Sequence, residues 1–333
     1  ARPATGDAGA CGYNHRVNSS PRHVFRVRPA SVPAAVCLIA GILVAAAIPT
    51  FAQTFAARTE LVHLPVIVTE RNGTIVNGLT ADDFIVADGG QTQTIVTFAQ
   101  GPPPPEAGVP LHVGVMLDRS ESMDLDARVA ADAVVEFVNT MPEAADVTLV
   151  EFDSSVQVSR FAPASYERLF ERVRQRRAPG RETALYDAIA RYVDTTRDRP
   201  GLHVLVVFTD GGDSGRGINA DELRHWLQQS HVLLYGVIYL ENERNGAVRA
   251  RQQLIAQRLA GDTGGEAFFP ISRNDIPRIY ERIRQEMAGR YSLGYELPDG
   301  AQPGQFRRVE VRLKDTSGGR RVRSRPGYLV PAS

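Results

Sequence analysis

The sequence predicts an α/β protein, with a Rossmann-like, doubly wound, mostly parallel sheet inserted in or flanked by a small β-sandwich of N- and C-terminal strands. Three observations predict it. Between Leu111 and Gly289 short apolar runs alternate with helical patterns, which implies a parallel sheet covered on both faces. The flanks, 58–98 and 290–328, carry β-branched and aromatic runs broken by Gly, Pro and Asp turns. Each flank offers about three or four strands, whereas an immunoglobulin-like sandwich needs about seven, so the two are expected to pack together.

From the N-terminus, five segments are read: 1–52, 53–100, 101–110, 111–289 and 290–333. In the first, Arg22, Arg26 and Arg28 precede an uncharged stretch from Ala30 to Gln53 with an apolar centre, Val36 to Ile48. Pro49-Thr50-Phe51-Ala52 places small residues before a cut after Ala52, so the segment reads as a secretory signal peptide. Export to the periplasm or the exterior follows, with no membrane association after cleavage; an uncleaved segment would instead be an anchor. Both cysteines, Cys11 and Cys37, fall in this segment, so the mature chain has neither disulfide nor zinc–thiolate chemistry.

The 53–100 segment reads as β: Leu61 to Thr69, Phe84-Ile85-Val86 and Thr94-Ile95-Val96 are strand candidates, and Asn72-Gly73 and Asn77-Gly78 are turns. Gly101 and the prolines after it make a stiff linker over 101–110. In the 111–289 segment, Leu111–Leu117, Asp146–Phe152, His203–Thr209 and Val232–Tyr239 are strand candidates, and Arg128–Met141, Ala184–Arg197, Ala220–Gln229 and Val248–Ala260 are helical. Asn219 with Glu222 three residues on is a capping signature. A last helix carries Ile276, Ile279, Ile283 and Met287 on one stripe. The 290–333 tail returns to β, with candidates Tyr291–Leu297, Phe306–Leu313 and Arg320–Arg325.

Charge excludes little and suggests little. The formal net charge is zero, and Lys314 is the only lysine. Nucleic acid is not indicated: the basic run Arg168, Arg172, Arg174, Arg176, Arg177 and Arg181 contains one aromatic, Phe170, and reads as a solvated helix face and loop. Gly215-Arg216-Gly217-Ile218-Asn219-Ala220 fits a dinucleotide pattern but begins six residues past its strand, so it reads as a loop. Gly212-Asp213-Ser214-Gly215-Arg216 misses the hydrolase elbow at its last position.

Three short sequences carry chemistry together. Asp118-Arg119-Ser120-Glu121-Ser122 closes the first strand of the alternating region. Glu182-Thr183-Ala184 opens a helix. Thr209-Asp210-Gly211 closes the fourth strand. In an open α/β sheet ligands sit beyond the strands' carboxyl ends where strand order reverses. With the order 3-2-1-4-5-6, Asp118 and Asp210 face each other across that crevice, with Ser120, Ser122 and Thr183 adding hydroxyls. Five hard oxygen donors suit Mg²⁺, Mn²⁺ or Ca²⁺. Asp124 and Asp126 after the motif read as a solvated helix start, and Asp153 and Asp213 as turn residues.

At these residues the chain resembles von Willebrand factor A-type and integrin I domains, whose metal-ion-dependent adhesion site is D-x-S-x-S, a downstream Thr and T-D-G. The resemblance implies direct coordination by Ser120, Ser122 and Thr183, with Asp118 and Asp210 acting mostly through water. The flanks are similar to bacterial exported proteins of this family, through Gly78-Leu79-Thr80-Ala81-Asp82-Asp83-Phe84, Tyr291-Ser292-Leu293-Gly294-Tyr295 and Arg325-Pro326-Gly327-Tyr328. The function implied is a metal-dependent adhesion or protein-binding module that grips an Asp or Glu of a protein partner. The alternatives are a metal-dependent hydrolase, which lacks a recognisable general base or nucleophile, and a structural or assembly factor of the cell envelope. Oligomeric state is left open by the sequence.

Overall fold

Alternating buried and exposed residues make β1 (Leu61–Thr69) a strand, and β2 (Phe84–Asp88), β3 (Gln91–Gln93) and β4 (Thr97–Gln100) follow it. This computed structural model describes residues 61–102, 109–123, 127–175, 180–215, 217–241 and 243–330. They belong to one compact unit spanning Arg58–Ser333. The expected signal peptide, the prolines at 103–105, Asp124 and Asp126 lie outside the described residues, and among the described residues no helix is long and apolar enough to cross a membrane.

The alternating region runs β5 (Leu111–Asp118), α1 (Ala127–Asn139), β6 (Ala144–Phe152), β7 (Val156–Phe161), α2 (Tyr166–Arg174), α3 (Leu185–Thr196), β8 (Leu202–Thr209), α4 (Ala220–Gln229), β9 (Val232–Ile238), α5 (Gly246–Thr263), β10 (Ala267–Phe268) and α6 (Ile276–Gly289). Its six-stranded sheet has the order β10-β9-β8-β5-β6-β7, which is the expected 3-2-1-4-5-6 read from the other edge. All pairings are parallel except that of β7, which returns from β6 as an antiparallel edge. Every residue of β5 is buried, as a strand covered on both faces requires. Leu111, Val113, Val115 and Leu117 of β5 pack with α1 and α6 on one face. Met116 packs with α3 and α4 on the other. Asn219 caps α4 as the sequence indicates: its side chain accepts from Asp221 N and Glu222 N, and Glu222 reaches back to the Asn219 amide.

The tail supplies β11 (Tyr291–Glu296), β12 (Phe306–Leu313), β13 (Arg321–Ser324) and β14 (Gly327–Leu329). Two four-stranded sheets result, β13-β1-β11-β4 and β14-β12-β2-β3. N-terminal β1 lies between two tail strands, and β2 pairs antiparallel with tail strand β12. β1 and β12 sit in different sheets and meet through one core, in which Val62, Leu64, Val66 and Val68 share a cluster with Val309, Val311 and Leu313. The expected strand at Thr94-Ile95-Val96 is absent. There the chain leaves the sheet of β3 and enters that of β4, so its local β pattern is spent on a crossing between sheets.

The aromatic residues of the tail hold this core. Tyr295 Oη and Tyr328 Oη donate to Asp88 Oδ2 at 2.9 and 2.8 Å, and Arg307 Nε donates to Asp88 Oδ1 at 2.8 Å. Asp88 is wholly buried, so its charge is tolerable only because it is paired and hydrogen-bonded. Tyr291 Oη donates to Val76 O and accepts from Leu79 N. The sandwich is bolted to the alternating region by arginines of β13 and the residue after it. Arg323 bridges Glu266 and the fully buried Glu286 of α6. Arg325 donates to Gln228 O and Ser230 O at the C-terminal end of α4, where a cation meets the negative end of the helix.

Candidate metal centre

The three motif loops meet at the carboxyl edge of β5 and β8, which are neighbours in the sheet. Asp118 ends β5 with 3% of its surface exposed. Its Oδ1 accepts from Ser120 N at 2.9 Å, and its Oδ2 accepts from Thr209 Oγ1 at 2.6 Å. The Ser120 and Ser122 hydroxyls are 3.1 Å apart. Asp210 Oδ1 accepts from Gly212 N at 3.1 Å. Gly211 between them has φ of 79°, and a Cβ there would lie 2.8 Å from Ile238 Cγ2, so glycine alone makes this turn.

Thr183, 8% exposed, is stitched to the loop after Asp210. Its N–H donates to Ser214 Oγ at 2.8 Å, and its carbonyl accepts from Ser214 N and Gly215 N. The segment before it is tied to the D-x-S-x-S loop through an isolated parallel bridge between Ser120 and Gly180. Gly180 N donates to Arg119 O, and Glu121 N donates to Gly180 O. A Cβ on Gly180 would lie 2.6 Å from Asp153 Cβ. Thus Asp118, Ser120, Ser122, Thr183 and Asp210 stand on three loops that hydrogen-bond to one another.

The electrostatics of the site turn on Asp118. Burial pushes the Asp118 carboxyl up to about 6, and the charge of Asp210 adds to the rise, while hydrogen bonds from Ser120 and Thr209 oppose it. A positive charge placed beside it would relieve that penalty. The donors are hydroxyl and carboxylate oxygens, which fit a hard divalent ion. Among the described residues no group of three or more His, Cys, Asp or Glu gathers, so a cation at this site would need the hydroxyls as well as the two carboxylates.

Sequence reasoning did not assign a role to several residues here. Thr209 fixes the Asp118 carboxylate, Ser214 holds Thr183, and Arg119 anchors the first loop; Thr209 and Ser214 lie inside quoted motifs, but their partners are distant in sequence. Asp153 behaves as turn chemistry suggests, its Oδ1 accepting from Ser155 N at 2.7 Å. Asp213 instead reaches across the fold, its Oδ1 accepting from Tyr186 N, 27 residues away, at the start of α3. Gly215 and the residues from Gly217 to Asn219 are loop, pinned by Asp187, whose Oδ1 accepts from Ile218 N at 3.1 Å.

Residues 113–212 match the family model of the von Willebrand factor type A domain. Comparison with curated proteins gives no match. Among solved structures, the chain is similar to a von Willebrand factor type A protein from Catenulispora acidiphila, with 14% identity, 84% of this chain and 76% of that chain covered, and a TM-score of 0.45. It is similar to the pilus adhesin SpaC from Lactobacillus rhamnosus GG in its open conformation, at 8% identity, 80% and 48% coverage and a TM-score of 0.45. It is also similar to an aerotolerance-related membrane protein from Bacteroides fragilis, at 15% identity, 53% and 98% coverage and a TM-score of 0.41. With the alternating sheet, its strand order and the match over residues 113–212 in place, the chain carries a von Willebrand factor type A domain.

Proposed function

We propose that the chain is an exported binding module that holds a divalent cation, Mg²⁺ or else Mn²⁺ or Ca²⁺, and through it grips an Asp or Glu of a protein partner. The observation that carries the reading is the buried Asp118 carboxylate. It is held by Ser120 and Thr209, raised to about 6 and set beside Asp210. Such an arrangement accumulates negative charge at an edge lined with hydroxyls. Ser120, Ser122 and Thr183 would contact the ion, and Asp118 and Asp210 would support it. When bound, the ion supplies an open coordination position to a carboxylate from outside. The chain's own residues hold the loops in register and keep Asp118 largely buried.

Calorimetry of the purified protein with Mg²⁺ and Mn²⁺ tests the ion: one site per chain is expected, and no binding at millimolar metal overturns the reading. A pull-down from envelope extract with and without EDTA, repeated with a folded Asp118→Ala protein, tests the grip. Capture that survives both EDTA and the substitution would rule it out. N-terminal sequencing of protein recovered from the cell envelope tests export, with Gln53 as the expected first residue. An intact terminus upstream of Ala30 with membrane retention would point to an anchor.

A further inference from the structure

Arg119 occupies a position of D-x-S-x-S where the motif asks for no particular residue, and its side chain turns inward, not outward. Its Nε and Nη2 donate to Glu151 Oε1 at 3.2 and 3.1 Å, and Nη2 also donates to Val173 O at 2.9 Å. Glu151 lies on β6 and is 3% exposed. Its other oxygen accepts from Arg172 Nε of α2 at 2.6 Å. The Arg119 backbone is fixed as well: its N–H donates to Phe152 O at 2.7 Å, and its carbonyl accepts from Gly180 N at 3.2 Å. One residue therefore joins the serine loop to β6, to α2 and to the segment leading to Thr183. Two guanidinium N–H groups converging on one carboxylate oxygen, with a third bond to a carbonyl, fix the side chain's direction as well as its distance.

We infer that Arg119 is a positioning residue of the metal site, holding Ser120 and Ser122 in the ion-binding arrangement through Glu151 and Val173. The inference rests on the metal reading above. Groups that orient metal ligands from behind typically change affinity by about 10–100-fold when removed. Charge alone predicts the opposite sign. Arg119 is a cation beside a cation site, so removing it should strengthen Mg²⁺ binding if its only effect were Coulombic. Arg172 keeps Glu151 paired when Arg119 is lost, so the variant does not leave an isolated buried charge.

The test is Mg²⁺ calorimetry on the full chain as wild type, Arg119→Met and Arg172→Met, with melting in EDTA as the measure of folding. Arg119→Met is expected to bind about 10–100-fold more weakly while melting in EDTA as a folded protein. Arg172→Met, which leaves the Arg119 contacts in place, is expected to bind like wild type. Wild-type binding with equal or tighter binding by Arg119→Met overturns the positioning role, as does an equal loss in both variants. A wild type that binds no Mg²⁺ overturns the metal reading itself and, with it, this role. Arg119→Gln serves as the second variant should Arg119→Met fail to fold. Failure of both to fold would assign Arg119 to stability and overturn the inference.

Discussion

Replacing Asp118 by Asn should stabilise the metal-free protein while abolishing its response to Mg²⁺. The carboxyl is raised from the usual 3.8 to about 6, chiefly by burial. A folded pKa above the unfolded one means that this group's contribution is fully present below about pH 4 and lost as pH rises through 6. At pH 7.5 the ionised form therefore weakens the fold by roughly 3 kcal/mol, at about 1.4 kcal/mol per pK unit. Asn keeps the shape, can still accept from Ser120 N, and can donate to Thr209 Oγ1, so it sheds the charge without emptying the site. For a unit of this size the gain corresponds to on the order of 5–10 °C in melting temperature. Thermal and urea denaturation in EDTA at pH 7.5 and at pH 4 give the difference, which should vanish at the lower pH. Mg²⁺ at about 100 times its Kd should add roughly 2.7 kcal/mol to the wild type and nothing to Asp118→Asn. An Asn variant no more stable than wild type in EDTA, or one that Mg²⁺ stabilises equally, refutes the reasoning.

Three further outcomes are expected. His203 is buried at the opposite edge of the sheet, stacked on His112 at 4.7 Å near Arg199 and Asp146, and burial lowers it to about 4. Its contribution is thus full above about pH 6.5 and lost as pH falls toward 4; because Asp118 runs the other way over the same window, the readout is the difference in urea stability between wild type and His203→Phe, which should change as pH falls from 6.5 to 4, and parallel profiles would count against it. Tyr295→Phe takes one of two tyrosine hydroxyls from buried Asp88 and should lower stability by about 1.5–3 kcal/mol, measured by urea unfolding, with no change in Mg²⁺ affinity. Arg323→Met takes from buried Glu286 its β13 partner but leaves Arg282 of α6 at 3.2 Å, so it should lower stability by about 1.5–3 kcal/mol, while adding Glu286→Gln should recover much of the loss. Additive losses in that double variant would show that the two side chains do not act as a pair.

Periodic burial is a local signal, and the sequence carries it openly. The inner strands β9, β8, β5 and β6 are short apolar runs because both their faces are covered, and α1, α3, α4 and α6 repeat apolar residues on one side. The order of elements, the Asn219 cap and the placing of Asp118 and Asp210 at strand ends follow from neighbours a few residues apart. Strand order follows from them too, once a parallel sheet is wound on both sides of its first strand. Helix α2 was legible only as a basic run, because its buried positions, Leu169 and Val173, are few among charges.

Polar partnership across the fold is another matter. Asp88 meets Tyr295 and Tyr328 at separations of 207 and 240 residues, and no spacing in the chain announces either. The β pattern at Thr94-Ile95-Val96 could not reveal a crossing between two sheets, since an extended backbone looks the same within a sheet and between sheets. Arg119 shows the same division. Its place in the motif is visible in the sequence, but that its guanidinium turns inward depends on Glu151, 32 residues away on β6, and on a carbonyl of α2. The sequence by itself determined the inner strands and most helices of the alternating region and placed Asp118 and Asp210 at strand ends. Tertiary structure alone decided which buried charges neutralise one another, because a charge is tolerated inside only where packing has already brought its partner.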